Sequence, residues 1–121
     1  MANILLAEDD SAMQTFLNTA LKKAGHTVRT EKNGLDALAA LNNTTEPFDL
    51  LLTDIVMPGM DGIELSQKAM KKHPALKVMF ITGFAAVAMD EQKNRAHNTK
   101  ILSKPFHLND LVQQIETLLA A

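Results

Sequence analysis

Five short apolar runs alternate along the chain with segments whose apolar residues recur every three or four positions, and that alternation leaves few folds open. The runs are Ile4–Ala7, the weaker His26–Arg29, Leu50–Leu52 leading into Thr53-Asp54, Val78–Ile81 and Ile101-Leu102. Runs so short and so apolar suit strands buried on both faces. Between the first two, Met13, Phe16, Leu17, Ala20, Leu21 and Ala24 mark one face of a helix over Ser11–Ala24, closed by Gly25. Leu35, Leu38 and Leu41 mark a second helix after an Asn33-Gly34 turn, and Asp61 caps a third that runs through His73. Residues 85–95 read as a helix whose apolar residues bunch at its start. Leu108, Leu111, Val112, Ile115, Leu118 and Leu119 form the last and clearest stripe. Strands separated by helices imply parallel βαβ crossovers, and a parallel sheet must be covered on both faces. The expected fold is therefore α/β: a five-stranded parallel sheet with helices on both sides.

At 121 residues the chain suits one domain, 1–121, and it has no linker, repeat or low-complexity stretch from which to build an effector domain. A net charge of −2 offers no basic excess, which argues against direct nucleic-acid binding. The absence of cysteine rules out disulfides and thiolate metal sites. No apolar run reaches the roughly 18 residues that span a bilayer, and Met1-Ala2-Asn3 lacks the basic start of a signal peptide. The expected setting is the cytoplasm, without membrane contact.

Open parallel sheets bind ligands at the carboxyl ends of their strands. Here the first strand ends at Glu8-Asp9-Asp10, the third at Asp54, the fourth at Thr82 and the fifth at Lys104. Parallel strands bring these ends to one edge, so a carboxylate cluster, a hydroxyl and an ammonium would share a pocket. Phosphoryl transfer to a carboxylate needs such a set. Carboxylates hold a hard cation that neutralises charge on the phosphoryl oxygens, a lysine and a hydroxyl bind the remaining oxygens, and one carboxylate attacks. Like charges gathered there would strain one another without the cation. Each residue also has a plainer reading. Asp10 or Ser11 caps the first helix, Asp54 ends a turn, Thr82 is a strand-end hydroxyl and Lys104 a solvated surface lysine. Coincidence at four successive strand ends is what favours the pocket.

These pieces, with Met57-Pro58-Gly59-Met60-Asp61-Gly62, Thr82-Gly83 and Lys104-Pro105-Phe106, resemble the motif set of response-regulator receiver domains over nearly the whole chain. The resemblance implies a flavodoxin-like sheet of order 2-1-3-4-5 and phosphorylation on Asp54, fed by a histidine kinase or histidine phosphotransferase. It implies Mg2+ held by Asp9 and Asp54, by Glu8 mainly through water, and by the backbone carbonyl of Val56. Thr82 and Lys104 would bind phosphoryl oxygens, making a catalytic set of Asp54, Thr82 and Lys104 that at most promotes the protein's own phosphoryl transfer. A cis bond is expected between Lys104 and Pro105. Two positions depart from the pattern: Ile101 stands where the family often has a switching aromatic, and Gly83 where it often has alanine.

Stretches such as Ile4–Asp10, Leu50–Pro58 and Val78–Ala88 resemble, more narrowly, single-domain cell-cycle regulators of alphaproteobacteria. That implies a phosphorylation-gated adaptor for the ClpXP protease, with ClpX as partner and the unphosphorylated form active. The run Phe84–Met89 is either a docking patch or a helix start packed on the sheet, and Leu118-Leu119-Ala120-Ala121 is either a tail of the kind ClpX takes or simply a helix end. Two alternatives stay open: a phosphorelay intermediate or diffusible signalling protein without a protease partner, and a small metal-dependent phosphohydrolase. The haloacid-dehalogenase type of the latter needs an Asp two residues beyond the nucleophile, where this chain has Val56. The four histidines, His26, His73, His97 and His107, lack metal-ligand spacing and read as surface or capping residues, and Met57 and Met60 as partner contacts or gap-fillers.

Overall fold

A computed structural model describes residues 1–83 and 99–120. The helix expected over 85–95, the Phe84–Met89 patch and Ala121 lie outside the described residues. Within them the order is β1 (Asn3–Ala7), α1 (Ser11–Lys23), β2 (Thr27–Glu31), α2 (Gly34–Asn43), β3 (Leu50–Asp54), α3 (Gly62–Lys72), β4 (Lys77–Thr82), β5 (Thr99–Ser103) and α4 (Leu108–Ala120). All neighbouring strands run parallel, in the order β2-β1-β3-β4-β5, as expected.

Successive strand side chains point to opposite faces, and this period of two divides the core. Leu5, Leu51, Val78 and Phe80 pack with Ala37, Ala40 and Leu41 of α2 and Leu65 and Ala69 of α3. Ile4, Leu6, Leu50, Leu52, Met79 and Ile81 pack with Leu17 and Leu21 of α1 and Leu111, Ile115 and Leu118 of α4. β3 is buried at all five positions, consistent with its place at the centre of the sheet. Truncating one of its leucines to alanine costs about 2–5 kcal/mol.

Local chemistry sets the helix ends. The Asp10 carboxylate accepts from the N–H groups of Ala12 and Met13 at the start of α1. At its far end Gly25 turns with φ +97°, a conformation that costs glycine nothing. The N–H groups of Gly25 and His26 then donate to the carbonyls of Lys22 and Leu21, closing the paired bonds of a Schellman stop. Asp61 caps α3 as expected, accepting from Glu64 N–H.

Four details differ from the sequence reading. Asn33-Gly34 is the start of α2 itself, with the Asn33 side chain accepting from Asp36 N–H. The buried stripe of α2 is Ala37, Ala40 and Leu41, while Leu35 is 63% exposed. Small residues let the helix approach the sheet closely, so leucine spacing alone misplaces its inner face. Phe16 on α1 is 49% exposed rather than part of the core stripe. His26 is no surface residue: it is buried, its Nδ1 accepts from Ala2 N–H, and its Nε2 lies 3.3 Å from a Glu116 carboxylate oxygen. Met57 and Met60 are buried in the core, as gap-fillers.

Candidate functional site

The ladder ends place the site. Ala7 pairs with Thr53, Asp54 with Ile81 and Thr82 with Ser103, so Glu8, Asp54, Thr82 and Lys104 leave the sheet at one edge. Gly62 at the start of α3 makes this edge compact. Its N–H donates to the Ile55 carbonyl at 2.8 Å, and a Cβ there would collide with the Asp54 carbonyl oxygen. The Thr53 hydroxyl donates to the same carbonyl, fixing the backbone that carries Asp54.

Glu8, Asp9 and Asp54 each bring one carboxylate oxygen within 4.8 Å of the others. Glu8 is 1% exposed, Asp54 is buried and Asp9 faces solvent. The Lys104 ammonium donates to Asp54 Oδ2 at 2.9 Å and lies 3.7 Å from Glu8 Oε1. Asp54 Oδ1 accepts from Val56 N–H at 3.3 Å, while the Val56 side chain points outward, 53% exposed. Glu8 Oε2 accepts from Asp10 N–H. Asp10 thus serves both readings, capping α1 with its carboxylate and steadying the pocket with its backbone. Thr82 is fully buried at the end of β4, and its carbonyl accepts from Lys104 N–H at 2.7 Å. The bond between Lys104 and Pro105 is cis.

The Glu8 carboxyl is raised from the usual 4.5 to about 7. Burial is the main cause. The Asp10 N–H opposes it, the Asp54 charge adds to it, and Lys104 opposes it. Burial pushes the Lys104 ammonium down, but its hydrogen bond to Asp54 and the two carboxylate charges outweigh that, leaving it raised. Glu8 Oε1 is buried without a hydrogen-bond partner. A buried carboxylate oxygen left so, with two further carboxylates in reach, fits a hard divalent cation that takes oxygen ligands and keeps part of its water shell. Mg2+ suits this donor set.

Two departures noted in the sequence now have surroundings. Ile101 is buried in the core beside Phe80, and a Cβ added to Gly83 would meet nothing within 4 Å. Two residues that support the site carry no mark in their spacing: Thr53, and Gln14, whose side-chain amide reaches back to the strand ends.

Comparison with known proteins agrees with this geometry. The family model described as "Response regulator receiver domain" matches residues 4–116. The response regulator receiver protein CpdR of Brucella abortus is 56% identical over 121 residues, all of this chain and 99% of that protein. Sensor kinase CckA of the same organism is 32% identical over 118 residues, which cover 98% of this chain and 12% of the kinase. Among solved structures, the response regulator TrrA of Thermotoga maritima in complex with Mg2+-BeF superposes with a TM-score of 0.84. It shares 25% identity, with 98% of this chain and 99% of that one covered. A family match over nearly the whole sequence and a full-length relative above half identity lead to one assignment: this chain belongs to the response regulator receiver domain family.

Proposed function

We propose that residues 1–121 act as a single-domain response regulator that accepts a phosphoryl group on Asp54. The observation that carries this reading is the convergence of the Glu8, Asp9 and Asp54 carboxylates beside the Lys104 ammonium at one sheet edge. An Asp54 oxygen attacks phosphorus of a phosphohistidine, the phosphorus–nitrogen bond breaks, and its electron pair leaves with the donor imidazole. Lys104 then moves from pairing Asp54 to pairing the phosphoryl oxygens, and the Thr82 hydroxyl takes another of them. Glu8, Asp9, Asp54 and the Val56 carbonyl would hold Mg2+, which would supply positive charge to offset that on the transferring group. The protein is its own phosphoacceptor and, beyond promoting its own transfer and hydrolysis, no enzyme. Its phosphodonor is a histidine kinase or histidine phosphotransferase, in keeping with its likeness to part of a sensor kinase.

For output we infer an adaptor role toward ClpX of the ClpXP protease in the cytoplasm, supported by the full-length likeness to a CpdR protein. Labelling wild type and Asp54→Asn with a phosphorylated histidine phosphotransferase in Mg2+ tests the acceptor. Label should appear on wild type alone, and label on another carboxylate of the variant would refute the site. Capture of purified ClpX by the two proteins, with and without phosphodonor, tests the output. Capture indifferent to phosphate would overturn the gating, and no capture in either state would overturn the adaptor role and favour a phosphorelay intermediate.

A further inference from the structure

The strand ladder stops at Ala7, whose partners are Glu31 on one side and Thr53 on the other. The two acids that follow stand on a short crossing into α1, and that crossing is held by Gln14. Its Nε2 donates to the Glu8 carbonyl at 3.3 Å and to the Glu31 carbonyl at 3.2 Å. A primary amide has two N–H donors, one for each carbonyl, and its oxygen could serve neither. The Glu8 N–H independently donates to the same Glu31 carbonyl at 3.1 Å. The Glu8 backbone is therefore tied to the end of β2 directly through its nitrogen and, through Gln14, by its carbonyl. The root of Gln14 is itself fixed, since its backbone N–H donates to the Asp10 carbonyl at 2.9 Å. Asp10 in turn gives its own N–H to Glu8 Oε2. Glu8, Asp10 and Gln14 thus close a hydrogen-bonded circuit that leaves Glu8 Oε1 as the oxygen turned to the pocket without a hydrogen-bond partner.

We propose that Gln14 is a positioning residue for the phosphoryl-transfer pocket, fixing the main chain at Glu8 so that Glu8 and Asp9 present their carboxylates to the divalent cation. This rests on the reading of Glu8 and Asp9 as cation ligands. Gln14 itself touches neither the cation nor the phosphoryl group. Its contribution is preorganisation: without the amide the crossing gains freedom that cation binding must remove.

The test compares wild type, Gln14→Leu (similar in size, no donors) and Gln14→Asn (an amide one methylene short of the carbonyls), with Asp9→Ala as the ligand control. Mg2+ binding to each folded protein is measured by calorimetry, and labelling by acetyl phosphate is followed across a Mg2+ titration. Gln14→Leu and Gln14→Asn should each bind Mg2+ about tenfold more weakly. Their labelling rate should recover to near the wild-type maximum at saturating Mg2+. A residue that only stabilised the fold would lower the melting temperature and leave Mg2+ affinity unchanged, and that result overturns the inference. If Gln14→Leu does not fold, the Gln14→Asn titration decides. Wild type that binds no Mg2+, or binds it as well after Asp9→Ala, removes the underlying reading and this inference with it. Normal wild type with indifferent Gln14 variants removes the inference alone.

Discussion

Take away the divalent cation and the pocket should make the protein's stability depend on pH through Glu8. Its carboxyl is raised from 4.5 to about 7 in the folded chain, chiefly by burial. Between those values the native state holds a proton that the unfolded chain has released. The associated stability is whole below about pH 4.5 and is lost as pH rises through about 7. A tenfold change in proton affinity is worth about 1.4 kcal/mol, so the full loss is about 3 kcal/mol. For a chain of this length that corresponds to a melting temperature lower by about 10 °C. On the proposed reading, Mg2+ would take the place of the proton in the folded state alone, so millimolar Mg2+ should recover most of the loss at the alkaline end. With no tryptophan or tyrosine in the chain, far-ultraviolet circular dichroism is the suitable probe. Melts in EDTA across this range should fall steeply for wild type and much less for Glu8→Gln, which cannot acquire the charge. The difference between the two proteins is the informative quantity, because it isolates the one carboxyl that the substitution removes. Equal pH slopes in EDTA would refute the placement of the strain on Glu8.

Three further outcomes follow from distances in the same region. Lys104→Ala leaves the Asp54 and Glu8 carboxylates without their ammonium, and because the lysine is partly solvated the cost in EDTA should be roughly 2 kcal/mol by urea titration. Gly62→Ala drives a methyl group into the Asp54 carbonyl oxygen, which should destabilise by about 3 kcal/mol in the same titration and slow labelling of Asp54. Gly83→Ala meets open space and should be neutral or stabilising by about 0.5 kcal/mol, and a loss beyond about 1 kcal/mol would show that the turn needs glycine.

The order and type of the described elements were legible because strand runs and helical stripes obey different periods. The carboxyl-edge constellation was legible for a related reason. In a parallel sheet, the ends of successive strands must meet, so Glu8, Asp54, Thr82 and Lys104 could be grouped before any distance was known. What escaped depends on three-dimensional neighbours. Leu35 and Phe16 keep the correct spacing for an inner face, yet alanines settle which side of α2 approaches the sheet, and α1 turns Phe16 outward. His26 is buried because the stop of α1 delivers it to the N–H of Ala2 and the carboxylate of Glu116, partners 24 and 90 positions away. Gln14 is one glutamine on a helix until the ends of β1 and β2 are set beside it.

The carboxylate of Glu8, that of Asp54 and the ammonium of Lys104 stand at the ends of three different strands, with 50 positions separating the last two. No local stretch of polypeptide carries them together, so, with Asp54 as the proposed acceptor, a nascent or misfolded copy would have no acceptor chemistry to offer. Whatever reads the modified surface is thereby spared signals from damaged molecules, and competence to be modified doubles as a certificate of correct folding.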